Sequence, residues 1–288
     1  MRALLLVGLA LVASASALVE VGSGYHQEVG IPTAEKIRVA EEKYLTEEAL
    51  DNRVVGGAIA PFGAHPYFAG LLISLVGTTG QSVCGSSLLS ANRLVTAAHC
   101  WSDGRMQAWQ FTVILGSNLL FTGGTRIATS NVIMHPQWTS HNLNNDVAMI
   151  LLPTKVQFSN SIQPIALPVG SNQYVGNWAV AAGFGRTSDQ QAGASTIVSH
   201  VNLQVISLQH CQIVFGSNFV IPSTICTSGA GGVGVCGGDS GGPLVHNTNG
   251  VPTLIGISSF VASAGCQLGH PSAYARVTSF TGFIQQYM

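Results

Sequence analysis

Residues 236–243 read Cys-Gly-Gly-Asp-Ser-Gly-Gly-Pro and place four glycines around one serine. Because glycine lacks a Cβ, such a segment can turn sharply and direct its backbone N–H groups at one point. A serine at that point can attack a carbonyl while neighbouring N–H groups hold the oxyanion that forms. The alternative is a glycine-rich turn with an incidental serine. The prediction of a nucleophile therefore depends on a base and an acid elsewhere in the chain.

Two further segments supply a base and an acid. Residues 96–100, TAAHC, place His99 at the end of an apolar strand, although most histidines in such positions are structural. Residues 144–150, NNDVAMI, place Asp146 directly ahead of a buried strand, where an unpaired carboxylate is costly. The order His99, Asp146, Ser240 is that of the chymotrypsin-type triad and differs from the order in subtilisins and α/β-hydrolases.

The chain beyond Arg53 is dominated by short apolar segments, rich in β-branched and aromatic residues, between clusters of Gly, Ser, Asn and Pro. These segments predict strands at 67–76, 94–98, 111–115, 147–152, 178–183, 201–207 and 254–260. In this region only residues 277–287 are typical of a helix. Low charge and 34 glycines favour a barrel or sandwich, so the predicted fold class is all-β.

Charge and hydropathy divide the chain into three regions. Residues 1–17 have one basic residue, an apolar run and an Ala-Ser-Ala end, which is the pattern of a secretory signal peptide and is too short to span a membrane. Residues 18–53, the leader, carry eight acidic and four basic residues. Residues 54–288, the mature region, carry four aspartates, no glutamate, one lysine and five arginines. We therefore predict a secreted protein with an activation propeptide, whose six cysteines form disulfides.

The leader contains a segment with helical composition, residues 33–50, which has neither glycine nor proline. Its apolar positions fall loosely on one helical face, and they are Ile37, Ala40, Tyr44 and Leu45. A helix that masks a cleft is one interpretation. Because the segment is highly charged, we predict instead a soluble and mostly disordered spacer.

The mature region resembles the chymotrypsin-family serine endopeptidases, and most of all the insect digestive chymotrypsin-like enzymes. The resemblance rests on RVVGG at 53–57, TAAHC, NNDVAMI, CGGDSGGP and HPSAYARV at 270–277, in the family's order and spacing. It implies two six-stranded antiparallel β-barrels with a C-terminal helix. The first barrel would span residues 54–168 and the second residues 169–288.

The resemblance also implies the roles of individual residues. Ser240 would be the nucleophile, His99 the general base, and Asp146 the acid that orients it. The backbone N–H groups of Gly238 and Ser240 would form the oxyanion hole, and Ser259 would support Asp146. The implied specificity pocket consists of Gly234, Ser259, Phe260, Val261 and Ser272. The implied disulfides pair Cys84 with Cys100, Cys211 with Cys226, and Cys236 with Cys266.

The same resemblance predicts how the chain is activated. A cut after Arg53 would free the α-amino group of Val54, which in the family pairs with the acid before the nucleophile, here Asp239. Ser82 stands where several zymogens of the family carry a histidine that holds this acid before activation. We therefore expect this zymogen to be kept inactive in a different way.

The pocket residues limit the range of substrate preferences. A neutral floor at Gly234 excludes a trypsin-like preference, because nothing there could pair with a buried Lys or Arg side chain. Val261 would narrow the pocket, as the corresponding valine does in elastases. A preference for aromatic or large aliphatic residues, favoured by the overall resemblance, and an elastase-like preference for small ones both remain open.

The expected partners are protein and peptide substrates, a trypsin-like activating protease and protein protease inhibitors. We expect a digestive role and a monomer, with no nucleic acid, no membrane, no cofactor and no metal, since the sequence has no C-x-x-C or H-x-x-x-H spacing. The main rival is a non-catalytic protease homologue that acts as a binding or regulatory module. The presence of all three triad residues argues against it.

Overall fold

The computed structural model describes residues 24–46, 58–186 and 197–288. The predicted signal peptide at 1–17 and the activation residues Arg53 and Val54 lie outside the described residues. Among the residues described, no helix is both long and apolar enough to cross a membrane.

The described residues contain fourteen strands and three α-helices. In chain order the strands are β1 (Ala58–Ile59), β2 (Phe68–Leu75), β3 (Gln81–Ser90), β4 (Arg93–Thr96), β5 (Ala108–Leu115), β6 (Thr125–Thr129), β7 (Val132–Met134), β8 (Ala148–Leu151), β9 (Trp178–Gly183), β10 (Ser199–Ile206), β11 (Thr224–Thr227), β12 (Pro243–Thr248), β13 (Val251–Phe260) and β14 (Ser272–Arg276). The helices are α1 (Ile31–Thr46), α2 (Leu208–Phe215) and α3 (Val277–Gln286). All seven predicted strands are present.

The strands form two antiparallel sheets of seven strands each. The first has the order β6-β5-β2-β3-β4-β8-β7, and the second has the order β1-β10-β11-β14-β13-β12-β9. Strand β10 also pairs with β9, which closes the second sheet into a barrel. The two-residue strand β1 adds a seventh strand to this sheet by pairing Ala58 with His200. The predicted all-β class, with two antiparallel barrels and a C-terminal helix, is confirmed.

Alternating side chains explain why the second barrel closes around an apolar core. On β10 the side chains of Val201, Leu203 and Val205 are buried, whereas those of Asn202 and Gln204 are exposed. This period of two sends one face of the strand into the core. Strands β2 and β3 of the first barrel are instead buried on both faces. One cover over β3 is helix α1, which packs against it.

Two helices depart from the expectations. Helix α2 was not predicted, although Ser207 caps it by accepting a hydrogen bond from the backbone N–H of His210. The prediction of a mostly disordered leader is wrong for residues 24–46, which form a π-helical turn, His26–Gly30, followed by α1. Burial of one face against the first barrel stabilises this helix more than its own composition does.

Candidate active site

His99 is held in a single 3-10 turn, Ala98–Cys100, that follows strand β4. The disulfide between Cys84 and Cys100 ties this turn to β3. Only 1% of His99 is exposed. The sequence therefore fixes the histidine both by its strand and by a covalent link.

Asp146 binds both the backbone and the ring of His99. Its Oδ1 accepts the backbone N–H of His99 at 2.9 Å, and its Oδ2 lies 2.7 Å from His99 Nδ1. Ser259 Oγ donates to the same Oδ2 at 2.6 Å. Asn145, with a φ of 59°, turns the chain just before Asp146 and strand β8. Because Nδ1 faces the carboxylate, Nε2 is the ring nitrogen left for chemistry.

Ser240 lies in the loop before β12, whose glycines are required by the backbone. Gly238 has a φ of 106° and Gly241 a φ of 75°, which L side chains rarely adopt. A Cβ on Gly241 would also lie 2.5 Å from the carbonyl oxygen of Gly85. The backbone N–H of Gly85 donates to the carbonyl oxygen of Ser240 at 2.7 Å, which fixes the serine against β3.

Ser240 and His99 line one cavity of about 40 Å³. Among the described residues, His99 Nε2 is buried without a hydrogen-bond partner, and no hydrogen bond joins it to Ser240 Oγ. The backbone N–H groups of Gly238 and Ser240 likewise have no acceptor within the described part of the chain. A basic nitrogen, a hydroxyl and two available N–H groups are what acyl transfer to a serine needs, and such contacts are often loose without a substrate.

The predicted pocket residues divide into two groups. Those that line the cavity are Ser259, Phe260 and Val261. Gly234 and Ser272 do not line it but lie together beside it, since a Cβ on Gly234 would lie 2.9 Å from Ser272 Oγ. Ser272 Oγ also accepts the backbone N–H of Val235, a lining residue, at 3.3 Å. Apart from His99, no lining side chain from residues 58–288 is ionisable.

Asp239, the residue before Ser240, is buried and does not line the cavity. Its carboxylate accepts the backbone N–H groups of Gly185 at 2.8 Å and Cys236 at 2.9 Å. Burial raises the pKa of Asp239 to about 6, and these two hydrogen bonds only partly offset that effect. Arg53 and Val54, predicted to act with it, lie outside the described residues.

The structure joins the six cysteines into three disulfides, and the pairs are Cys84–Cys100, Cys211–Cys226 and Cys236–Cys266. One group of potential metal ligands lies close together within the described ranges, formed by Cys84, His99 and Cys100. Its two sulfurs are bonded to each other, so they are not available as thiolate ligands. This group therefore does not fit a metal site.

The family model described as Trypsin matches residues 54–284. The chain belongs to the trypsin family. Among its relatives, the collagenase of Hypoderma lineatum is 35% identical over 242 residues, which cover 83% of this chain and 88% of the relative. Brachyurin of Leptuca pugilator is 36% identical over 235 residues, which cover 81% and 97% of the two chains.

A solved structure also supports the assignment of this chain to the trypsin family. The structure, described as HL collagenase, superposes with a TM-score of 0.73 at 35% identity and covers 81% of this chain and 97% of the other. With the family model and these relatives, it confirms the predicted chymotrypsin-like serine endopeptidase.

Three leader residues that were not predicted as site residues line the cavity of this trypsin-family domain. Tyr25, Glu28 and Val29 line the cavity together with Ser240 and His99. Five of the buried leader positions recur every four residues, and they are Tyr25, Val29, Thr33, Ile37 and Glu41, with His26 and Ala34 buried beside them. Because two of the five are polar, this spacing gives only a weak hydrophobic pattern in the sequence. Of the predicted face, Ile37 is buried and Ala40 and Tyr44 are partly buried, whereas Leu45 is 59% exposed. The predicted segment began at residue 33, too late to include Tyr25 and Val29.

Proposed function

We propose that this chain is the zymogen of a secreted digestive endopeptidase in which Ser240, His99 and Asp146 act together. The observation that carries the proposal is His99 itself. Its Nδ1 lies 2.7 Å from the Asp146 carboxylate, while its buried Nε2 has no hydrogen-bond partner among the described residues. His99 also lines the same cavity as Ser240. A histidine oriented in this way can take a proton from a serine hydroxyl.

The reaction would proceed in two acyl-transfer steps. Ser240 Oγ attacks the carbonyl carbon of the substrate while His99 Nε2 takes the hydroxyl proton. The backbone N–H groups of Gly238 and Ser240 donate to the oxyanion, and one such donor is worth about 3 to 4 kcal/mol in comparable enzymes. His99 then protonates the leaving amine, and water releases the acyl group from Ser240 by the same route in reverse.

Activation would follow a cut after Arg53. The new amino group of Val54 would pair with Asp239, whose buried carboxylate has two N–H donors and a raised pKa. A cation beside that carboxylate would favour its charged form and hold the loop that carries Ser240. Because the proposed pocket is neutral, the enzyme should cut poorly after Arg53, and a separate trypsin-like protease is the proposed activator.

The proposed preference is for aromatic or large aliphatic residues before the scissile bond. It is supported by the absence of ionisable side chains in the cavity lining from residues 58–288, other than His99. Val261 lines the cavity and favours the second candidate, an elastase-like preference for small aliphatic residues. We further propose that the enzyme acts as a monomer on protein substrates and is subject to protein inhibitors.

A peptide panel after trypsin treatment tests this function. The peptides would differ only at the residue before the scissile bond, with Ser240→Ala as the inactive control. We expect cleavage after Phe, Tyr and Leu in preference to Arg. A preference for Ala or Val would support the elastase-like alternative, whereas no hydrolysis of any peptide would support a non-catalytic homologue. Collagen belongs in the same assay, because one relative is named a collagenase.

A further inference from the structure

We infer that residues 24–46 of the leader are an inhibitor of this enzyme's own active cleft, which stays bound after the chain is cut at Arg53. The inference rests on the proposed function, because it takes His99 and Ser240 as the groups that must be covered. It adds a second activity to the chain, which is inhibition of the mature region by its released leader.

Tyr25, in the first described turn of the leader, covers His99 directly. The ring of Tyr25 packs edge-on against the ring of His99, with 4.7 Å between centroids. The Tyr25 hydroxyl donates to the carbonyl oxygen of Val83 at 2.7 Å, which fixes the ring in place. A substrate that presents its carbonyl to Ser240 would have to displace this ring, because His99 must reach the leaving amine.

The next two turns of the leader lie against Gly237 and Gly238, in the loop that carries Ser240. A Cβ on Gly237 would lie 2.8 Å from Val29 Cγ1, and a Cβ on Gly238 would lie 2.9 Å from Thr33 Cγ2. Both leader side chains are buried. Tyr25, Val29 and Thr33 thus follow one helical face along the loop that carries Ser240.

The helical conformation of the leader at the site fits an inhibitor and not a substrate. The backbone N–H of Glu28 donates to the carbonyl oxygen of Gly24 at 2.9 Å, and the π-helical turn His26–Gly30 runs directly into α1. Helical carbonyls are engaged in hydrogen bonds within the helix. They are therefore not free to enter an oxyanion hole, so the leader lines the cavity beside Ser240 without offering it a bond to cut.

Two polar anchors hold the helix on either side of this contact. His26 is fully buried, its backbone N–H donates to Asp103 Oδ2 at 2.9 Å, and its Nδ1 lies 2.9 Å from Ser82 Oγ. At the other end Glu41 is 1% exposed. Its carboxylate accepts the backbone N–H groups of Leu120 and Phe121 at 2.5 to 3.1 Å.

These contacts lie on the mature region but involve neither Arg53 nor Val54. A cut at Arg53 leaves every one of them intact, so activation requires a second event that removes the leader. The helix itself offers the means, since its basic residues are exposed or half-exposed at Lys36, Arg38 and Lys43. A trypsin-like activator would cut the leader there and destroy the inhibitor.

The test uses the full chain with a cleavage site that spares the leader. Substitutions Ala49→Asp, Leu50→Asp, Asn52→Asp and Arg53→Lys let enteropeptidase cut before Val54 without cutting within residues 24–46. The test variant is Tyr25→Ala with Glu41→Ala. The matched control is Leu45→Ala with Glu42→Ala, two changes on the exposed face of the same helix. The mature enzyme is identical in all three chains, so any difference comes from the leader.

Two readouts follow the cut. In chains that also carry Ser240→Ala, size-exclusion chromatography with mass detection reports whether the leader elutes with the mature region. In active chains, peptide hydrolysis is followed across a dilution series, and active-site titration after trypsin digestion of the leader gives the amount of folded enzyme.

We expect the unmodified and control leaders to co-elute with the enzyme and to inhibit it until it is diluted. The test variant should be active at once, with the concentration for half-dissociation raised about 100-fold or more. Full activity at every concentration, with the unmodified leader eluting separately, would overturn the inference and leave the proposed function intact. A co-eluting leader with no titratable serine after digestion would instead overturn the proposed function.

Discussion

His26 is a buried neutral histidine whose protonation opposes leader docking. Burial lowers its pKa from 6.5 to about 4, Asp103 partly offsets this effect, and His99 adds to it. Docking should therefore be strongest above pH 6.5 and weaken as the pH falls towards 4. The full difference between these pKa values corresponds to a factor of about 300 in affinity.

The His26 prediction is checked on the cut chain that carries Ser240→Ala, by measuring the dissociation constant of its leader from pH 8 to pH 4. His26→Gln should remove most of the weakening. Glu41 titrates in the opposite sense, because burial raises its pKa, so the comparison of the two chains isolates the histidine. Equal pH dependence in both chains would assign the effect to another group.

Replacing Asp239 should lower the activity of the cut chain without destabilising the uncut chain. In the uncut chain its charge is costly above pH 6, because burial raises its pKa from 3.8 to about 6, a difference of about 3 kcal/mol. Asp239→Asn should therefore leave the free energy of unfolding of the uncut chain at pH 8 unchanged or higher. After cleavage the same change should lower kcat/KM by about 100-fold or more, since the Val54 ammonium loses its counter-ion.

Denaturant unfolding at pH 5 and pH 8, followed by assay of the trypsin-treated chain, checks the Asp239 prediction. A clear loss of stability in the uncut variant at pH 8 would mean that another cation already pairs with the carboxylate. Full activity after cleavage would mean that Val54 does not need this partner.

The residues of the candidate triad could be predicted from short motifs, because serine, histidine and aspartate each sit in a local sequence with a specific backbone requirement. Gly241 illustrates this, since its φ of 75° and its contact with Gly85 permit no side chain. The leader contacts could not be predicted in the same way. Tyr25 reaches His99 through tertiary packing, and nothing in its immediate sequence indicates that contact.

Helix α1 owes its position to one apolar side chain as much as to its polar anchors. Ile37 is fully buried, whereas Val39 is 51% exposed on the same helix. Ile37→Ala should weaken leader docking by about 2 to 4 kcal/mol, because it removes buried methyl groups and leaves a cavity. Val39→Ala serves as the matched control and should have little effect.

Hydrogen exchange of the uncut chain measures this difference. Amides of residues 31–46 should exchange faster in Ile37→Ala, while those of β2 and β3 stay protected. Equal exchange in the two variants would show that the leader is held by its polar contacts alone.

At the scale of elements, local composition was enough to predict seven strands. Residues 201–207, which contain most of β10, were predicted because they are apolar and rich in β-branched residues, and composition is a local property. Strand β3 was not predicted because four of the ten residues in Gln81–Ser90 are serine, and its burial depends on α1 and on neighbouring strands. The leader was taken for a spacer because its charge is evident locally, whereas the surface that receives its apolar face is distant in sequence.

At the scale of the molecule, the active cleft brings together parts of both sheets and of the leader. The first sheet carries His99 and Asp146 at the ends of its strands, and the loop before β12 of the second sheet carries Ser240. Ser259 on β13 links the two by its hydrogen bond to Asp146. A change that releases the leader should therefore alter access to the site without altering either barrel.

The most direct test of the central claim is covalent labelling of Ser240 with a fluorophosphonate, located by peptide mass spectrometry. We expect Ser240 to be the only labelled residue. Labelling should be slow in the uncut chain, fast after cleavage and removal of the leader, and abolished by His99→Ala. Labelling of the uncut chain at the full rate would contradict the covered cleft, and a leader-free cut chain without label on Ser240 would contradict the assignment of the nucleophile.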